Sequence, residues 1–216
     1  MQELIQVTGM ILKQTPIGEY DRRICLLTKE RGKISAFVRG SRKPGSRLSS
    51  ATNPFSFGVF KLHEGRSAYN VLEADIQNYF EDLRTDYIGA YYGMYFAEMA
   101  DYYTRENNDE KEMLKLLYQS LRALSVPSLP RELVRFVYEI KSIAINGEFP
   151  GIPADRDLEQ STEYALHYIV DSTIEKLFTF TVSDGVLVQL GQLADHYRER
   201  ILDREFKSLE ILKTLC

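Results

Sequence analysis

Residues 26–40 read Leu-Leu-Thr-Lys-Glu-Arg-Gly-Lys-Ile-Ser-Ala-Phe-Val-Arg-Gly, a pattern typical of two short strands joined at a Gly-containing turn. Alternate side chains of a strand point to opposite faces, so Ile34, Ala36 and Val38 share one face. Phe37 and Arg39 share the other face. The stretch therefore predicts a strand with one apolar side and one side that presents an aromatic ring beside a cation.

The same kind of pattern extends over residues 1–80. Short apolar or alternating runs, separated by Gly-containing turns, predict five strands: Leu4–Lys13, Arg22–Thr28, Lys33–Arg39, Phe55–His63 and Ala68–Ile76. Five short strands in about 80 residues favour an OB-type β-barrel. A fragment of a β-sandwich is the alternative.

After Ile76 the apolar period becomes helical. Seven aromatic residues between Tyr87 and Tyr103 recur at spacings of three and four, which favours a packed helix face over a ligand box. Further helices are predicted at about 109–125, 130–146, 162–171 and 184–202, the last capped by Ser183. The predicted fold is thus α+β with two domains, an OB-type barrel in residues 1–80 and an all-α domain in residues 81–216.

The 216-residue chain has a formal net charge of −4, but its two parts carry opposite charge. Residues 1–80 contain 12 Lys and Arg against 7 Asp and Glu, a net charge of +5. Residues 81–216 contain 15 against 24, a net charge of −9. This asymmetry indicates that the first part contacts a polyanion and that the second does something else.

Several classes of protein are disfavoured by what the sequence lacks. The two cysteines, Cys25 and Cys216, are too few for a disulfide framework or a four-cysteine zinc site, and the three histidines have no ligand spacing, so neither metal nor cofactor is expected. Motifs for ATP hydrolysis, acyl transfer and metallopeptidase chemistry are missing, so we do not expect an enzyme. Without an apolar run of about 18 residues or a basic leader, we expect a cytoplasmic protein that has no membrane partner.

The densest functional signal is the segment 29–47, which contains seven basic residues and one acidic residue. From Gly40 to Asn53 it is rich in Gly, Ser and Arg, a composition that predicts free backbone amides and mobile cations for wrapping phosphates. OB barrels bind oligonucleotides on the face and loops around strands 2 and 3, so we expect nucleic-acid binding here. The candidate residues are Arg22, Arg23, Lys33, Phe37, Arg39, Arg42, Lys43 and Arg47.

Each of these assignments has a purely structural alternative. The segment is otherwise a solvated loop whose charges aid solubility. Arg22 and Arg23 are as well placed to form ion pairs with Glu19 or Asp21. Phe37 serves either as a platform for base stacking or simply packs under the loop, and the core is the commoner place for a Phe in a strand.

Five stretches resemble the RecO family of bacterial DNA-repair recombination mediators: Gly-Glu-Tyr-Asp-Arg (18–22), the 26–40 stretch above, Pro-Phe-Ser-Phe-Gly (54–58), Glu-Lys-Leu-Phe-Thr-Phe-Thr-Val-Ser (175–183) and Leu-Asp-Arg-Glu-Phe-Lys-Ser-Leu (202–209). The resemblance implies an N-terminal OB domain that binds single- and double-stranded DNA and anneals strands. It also implies as partners RecR and the C-terminal tail of the single-stranded-DNA-binding protein, with which RecA is loaded onto coated DNA.

The sequence departs from the family in one respect. Many members carry a four-cysteine zinc cluster shortly after the position of the loop at residues 147–151, and no cysteine lies there in this chain. The region 151–161 resembles a shortened form without the zinc module. Two further hypotheses remain beside the mediator: a protein-interaction scaffold with an OB-like barrel, and an enzyme that acts on nucleic acid.

Overall fold

The computed structural model describes residues 3–65 and 68–215. Five strands form a closed barrel in the order β1-β2-β3-β5-β4: β1 (Leu4–Ile17), β2 (Asp21–Thr28), β3 (Gly32–Val38), β4 (Phe57–Glu64) and β5 (Tyr69–Asn78). The β1–β2, β2–β3, β1–β4 and β4–β5 pairs are antiparallel and the β3–β5 pair is parallel. The predicted OB-type barrel is confirmed, and the β-sandwich alternative is excluded.

The barrel closes because β1 is long enough to pair on both sides. Residues 4–10 pair with β4 and residues 9–17 pair with β2, with a register shift between Ile11 and Lys13. The predicted end of this strand at Lys13 is therefore too early. The prediction that the fourth strand begins at Phe55 is also wrong, since Phe55 has a φ of +70° and lies in the turn before Phe57.

The barrel core is built from the inward faces of all five strands. Alternation in β3 buries Ile34, Ala36 and Val38 completely, as the sequence predicts. They pack in one cluster that also contains Phe60 of β4 and Val71 of β5. Phe37, on the opposite face of β3, lies outside this cluster.

The predicted helices are confirmed with small shifts of their ends. They are α3 (Tyr87–Tyr103), α4 (Lys111–Leu124), α5 (Arg131–Ile145), α6 (Gln160–Asp171) and α7 (Asp184–Ile201). The Ser183 side chain caps α7 by accepting a hydrogen bond from the Val186 amide. Three shorter α-helices of the described residues were not predicted: α1 (Leu48–Ala51), α2 (Glu81–Thr85) and α8 (Lys207–Leu215).

The chain divides into two compact units. The first comprises Met1–Thr85 and Ala97–Leu114, and the second comprises Asp86–Phe96 and Lys115–Cys216. The barrel unit thus contains more than residues 1–80, because the second half of α3 and the start of α4 belong to it. Within this unit the main chain of residues 105–107 lies along the beginning of β3, where the Lys33 amide donates to the Arg105 carbonyl at 3.0 Å.

Candidate nucleic-acid interface

Residues 39–47, called the basic loop below, form a compact turn after β3. The Gly40 amide donates to Asp21 Oδ1 at 2.7 Å, and the Arg42 amide donates to the Tyr20 carbonyl at 2.9 Å. Gly40 has a φ of +64°, in the left-handed region that glycine adopts most readily. The expectation of free backbone amides is therefore wrong for Gly40 and Arg42. It is also wrong for Lys43 and Ser46, whose amides donate to the Gly40 and Lys43 carbonyls at 3.1 Å each.

The side chains of the basic loop, by contrast, face solvent. Arg39, Arg42, Lys43 and Arg47 are all exposed, and none of them forms an ion pair with another described residue. Arg42 Nη1 donates to the Gly18 carbonyl at 3.1 Å, and Lys43 Nζ lies 5.5 Å from the centre of the Tyr20 ring. Both contacts hold the side chain without neutralising its charge. These four side chains therefore keep their positive charge at the surface of the basic loop.

Arg22 has a different position. Its side chain donates from Nη1 to the Ser49 carbonyl at 2.7 Å and to Thr52 Oγ1 at 2.8 Å. Burial, together with the nearby charge of Arg42, lowers the pKa of the Arg22 guanidinium. In the described part of the chain, Arg22 forms no ion pair with Glu19 or Asp21. It holds the short helix α1 beside the basic loop.

Arg23 and Phe37 lie opposite each other on the outer face of the barrel, as register partners of β2 and β3. Arg23 Nε donates to Ser35 Oγ at 2.7 Å, while the Phe37 ring is half-buried and lies outside the barrel core. The alternative that placed Phe37 in the core is therefore not what the structure shows. The pair presents an aromatic ring beside a cation.

Lys33 lies on the same outer face but is already paired with a carboxylate. Its Nζ donates to Asp101 Oδ1 at 3.0 Å, and Lys13 Nζ donates to Asp101 Oδ2 at 2.7 Å. Burial alone would raise the pKa of the Asp101 carboxyl, but the hydrogen bonds from both lysines outweigh burial and lower it. The Cys25 thiol lies 3.6 Å from Oδ1, and burial, with the nearby carboxylate, raises the pKa of this thiol to about 12. These four residues are called the Asp101 cluster below.

Lys13 and Asp101 are not among the residues that the sequence predicts for the site. The position of Lys13 on the outer face follows from strand alternation only once the bulge after Ile11 is known. Asp101 lies on α3, 68 residues after Lys33, and the sequence contains no signal that joins them. Together with Arg23, Lys13 and Lys33 line a groove of about 580 Å³, called the barrel groove below.

Metal-binding clusters and membrane-spanning helices are both missing from the described part of the chain. In residues 3–65 and 68–215, no group of three or more His, Cys, Asp or Glu side chains is arranged to hold a metal ion. None of the helices in those ranges has the length and apolar character needed to span a membrane. Cys25 is a free thiol, and Cys216 lies outside the described residues.

A closed five-stranded barrel of order 1-2-3-5-4 with cations beside β2 and β3 defines an OB-fold protein, a class whose barrels bind oligonucleotides and oligosaccharides on this face. Comparison with known families narrows the class. Residues 1–80 match the family model described as Recombination protein O N terminal, and residues 84–152 match the one described as Recombination protein O C terminal. The chain belongs to the RecO family.

Individual relatives agree with the family models. The DNA repair protein RecO of Acetivibrio thermocellus is 29% identical over 98% of this chain and 97% of its own length. That of Clostridium perfringens is 24% identical over 97% of this chain and 98% of its own length. That of Bacillus pumilus is 31% identical over 68% of this chain and 57% of its own length. The first of these alignments spans 244 positions against 216 residues here, so that relative carries segments this chain lacks.

Proposed function

We propose that this protein is a recombination mediator that binds single- and double-stranded DNA and anneals complementary strands. With RecR it helps to load RecA onto DNA coated by the single-stranded-DNA-binding protein. Membership of the RecO family supports this role. The observation that carries the DNA-binding part is the set of four exposed, unpaired cations on the basic loop, at the end of β3 of an OB barrel.

The proposed mechanism is electrostatic and needs no bond to be made or broken. Each cation that meets a backbone phosphate releases condensed counterions, which makes binding favourable and dependent on salt. Three of the four cations are arginines, whose planar guanidinium matches a phosphate with two parallel hydrogen bonds. Neutralising the phosphates of two strands lowers their mutual repulsion, so complementary bases can meet.

The two predicted domains divide this work. Residues 1–80, with a net charge of +5, bind DNA through the basic loop, with Arg23 and Phe37 extending the surface. Arg22 acts indirectly by holding α1. Residues 81–216, with a net charge of −9, repel DNA and bind the partner proteins. The tail of the single-stranded-DNA-binding protein requires an apolar groove edged by Lys or Arg in this domain.

The test is fluorescence anisotropy of a labelled single-stranded oligonucleotide, titrated with wild-type protein and with the Arg39→Ala, Arg42→Ala, Lys43→Ala, Arg47→Ala quadruple variant at several salt concentrations. We expect the variant to bind more weakly. The salt dependence should become shallower by about 0.7 log units for each phosphate of the single strand that the variant no longer neutralises.

The matched control removes four exposed cations from the second unit: Arg122, Lys176, Arg200 and Lys207. This control changes the net charge equally and should leave the salt dependence near that of the wild type. Equal weakening in both variants would show that net charge alone governs binding. If the wild type does not bind at low salt but forms a stable complex with a protein partner, the scaffold function replaces the one proposed here. Cleavage of any strand would instead indicate an enzyme.

A further inference from the structure

The Asp101 cluster has the geometry of an anion-binding site whose anion is supplied by the chain itself. Three donors from three strands converge on one carboxylate: Lys13 at 2.7 Å, Lys33 at 3.0 Å and the Cys25 thiol at 3.6 Å. Lys13 and Cys25 are direct register partners of β1 and β2. Two ammonium groups around one oxyanion is an arrangement that suits a backbone phosphate equally well.

The carboxylate is held there by the main chain as well as by the lysines. Residues 105–107 follow α3 directly and hydrogen-bond to the start of β3, where the Asn107 amide donates to the Arg31 carbonyl at 2.9 Å. Gly32 makes this approach possible, since a Cβ there would lie 2.2 Å from the Arg105 carbonyl oxygen. Asp101 is thus carried to the barrel by a fixed segment, and its side chain is only 12% exposed.

The barrel groove contains Lys13 and Lys33, and Arg23 lines it as well. Asp101 pairs with both Lys13 and Lys33 and offsets one of these three positive charges, and the Glu106 carboxylate also lines the groove. The barrel groove is therefore less positive than its three cations alone would make it. Among the described residues, no carboxylate forms an ion pair with a side chain of the basic loop.

We propose that Asp101 acts as a built-in substitute for a nucleic-acid phosphate, which masks Lys13 and Lys33 and confines DNA contact to the basic loop. This inference rests on the proposed DNA-binding function. Asp101 would thereby determine which part of the barrel binds the nucleic-acid strand. Removing the carboxylate should convert the barrel groove into a second contact surface.

The test compares wild type, Asp101→Asn and the matched control Glu73→Gln in the same anisotropy titrations. Glu73 pairs with Lys61 on β4 and β5, away from the groove. We expect Asp101→Asn to bind a single-stranded oligonucleotide several-fold more tightly at low salt. Its salt dependence should be steeper by about 1.4 log units, since two lysines become available at about 0.7 for each phosphate neutralised. Glu73→Gln should match the wild type.

A further variant separates unmasking from a general change of charge. Adding Lys13→Gln and Lys33→Gln to Asp101→Asn should abolish the tighter binding. If Asp101→Asn binds like the wild type while the basic-loop variant binds more weakly, the mask is refuted and the proposed function stands. If neither wild type nor Asp101→Asn binds at low salt, both are refuted.

A measurement on the unmodified protein keeps the proposal testable should Asp101→Asn fail to fold. Lysine acetylation followed by mass spectrometry reports which ammonium groups a bound oligonucleotide protects. In the wild type we expect protection of Lys43 and unchanged reactivity of Lys13 and Lys33. Protection of Lys33 in the wild type would overturn the proposal.

Discussion

The Asp101 cluster of the barrel unit resembles a second cluster in the second compact unit, called the helical unit below. Each contains one carboxylate, two cations and one uncharged donor. In the helical unit, the centre is Glu139, whose Oε1 accepts a hydrogen bond from the Tyr95 hydroxyl at 2.6 Å. The nearest guanidinium nitrogens of Arg198 and Arg135 lie 3.7 Å and 4.0 Å away. We call these four residues the Glu139 cluster. Asp101 remains 12% exposed, whereas the Glu139 side chain has no exposed surface.

The two carboxylates respond to their surroundings in opposite directions. Burial raises the pKa of Glu139, and the two arginines offset this effect only in part. Among the described residues, Glu139 Oε2 is buried without a hydrogen-bond partner. Asp101 has both carboxylate oxygens bonded, and its pKa is lowered. Contact distance and remaining access to water, rather than the number of cations, decide whether the charged form is favoured.

The largest effect should follow from removing one partner of the buried cluster. Replacing Arg198 by Met leaves Glu139 without its nearer cation, and breaking a buried pair in this way costs about 3–5 kcal/mol. We expect Arg198→Met to lower the free energy of unfolding by about 3 kcal/mol, the lower end of this range, because Arg135 remains close to Glu139. Urea unfolding near neutral pH measures the change.

The Arg198→Met, Glu139→Gln double variant is the control for this prediction. It removes the uncompensated charge and should recover much of the free energy of unfolding that Arg198→Met removes. A double variant as unstable as Arg198→Met would show that packing of the Arg198 side chain, rather than its charge, stabilises the helical unit.

The two clusters should also give stability opposite dependences on pH. As pH rises above the ordinary Glu value of about 4.3, the unfolded chain ionises residue 139 before the folded protein does, so stability falls. As pH falls below the ordinary Asp value of about 3.9, the unfolded chain protonates residue 101 first, so stability again falls. Glu139→Gln should remove the first decrease and Asp101→Asn the second, as measured by urea unfolding across these windows. Parallel pH profiles for the two variants would contradict the contrast between the clusters.

The barrel could be predicted because its period is local, and alternation from Ile34 to Val38 identifies the inward face of β3. Helix α1 could not be predicted, because four residues in a Gly-, Ser- and Arg-rich segment are too few to show a helical period. The helix is held instead by a tertiary contact, the hydrogen bond from Arg22 to the Ser49 carbonyl. Likewise, charge counting identified the cations of the basic loop but not the ion pair that Lys33 forms. Its partner lies 68 residues further along the chain, and only the tertiary fold brings them together.

The smallest effect on the free energy of unfolding should come from breaking the exposed ion pair between Lys61 and Glu73. This pair is the solvent-exposed reference with which both clusters are compared. The two are direct register partners of β4 and β5 and lie 2.6 Å apart, but their side chains are 49% and 67% exposed. Water screens such a pair, so Glu73→Gln should change the free energy of unfolding by less than about 0.5 kcal/mol, against about 1 kcal/mol for Asp101→Asn. Urea unfolding of the two variants side by side measures this difference. Similar destabilisation in both variants would mean that the Asp101 cluster is no stronger than an ordinary surface ion pair. The short distances within the cluster would then not be sufficient reason to regard it as an anion-binding site.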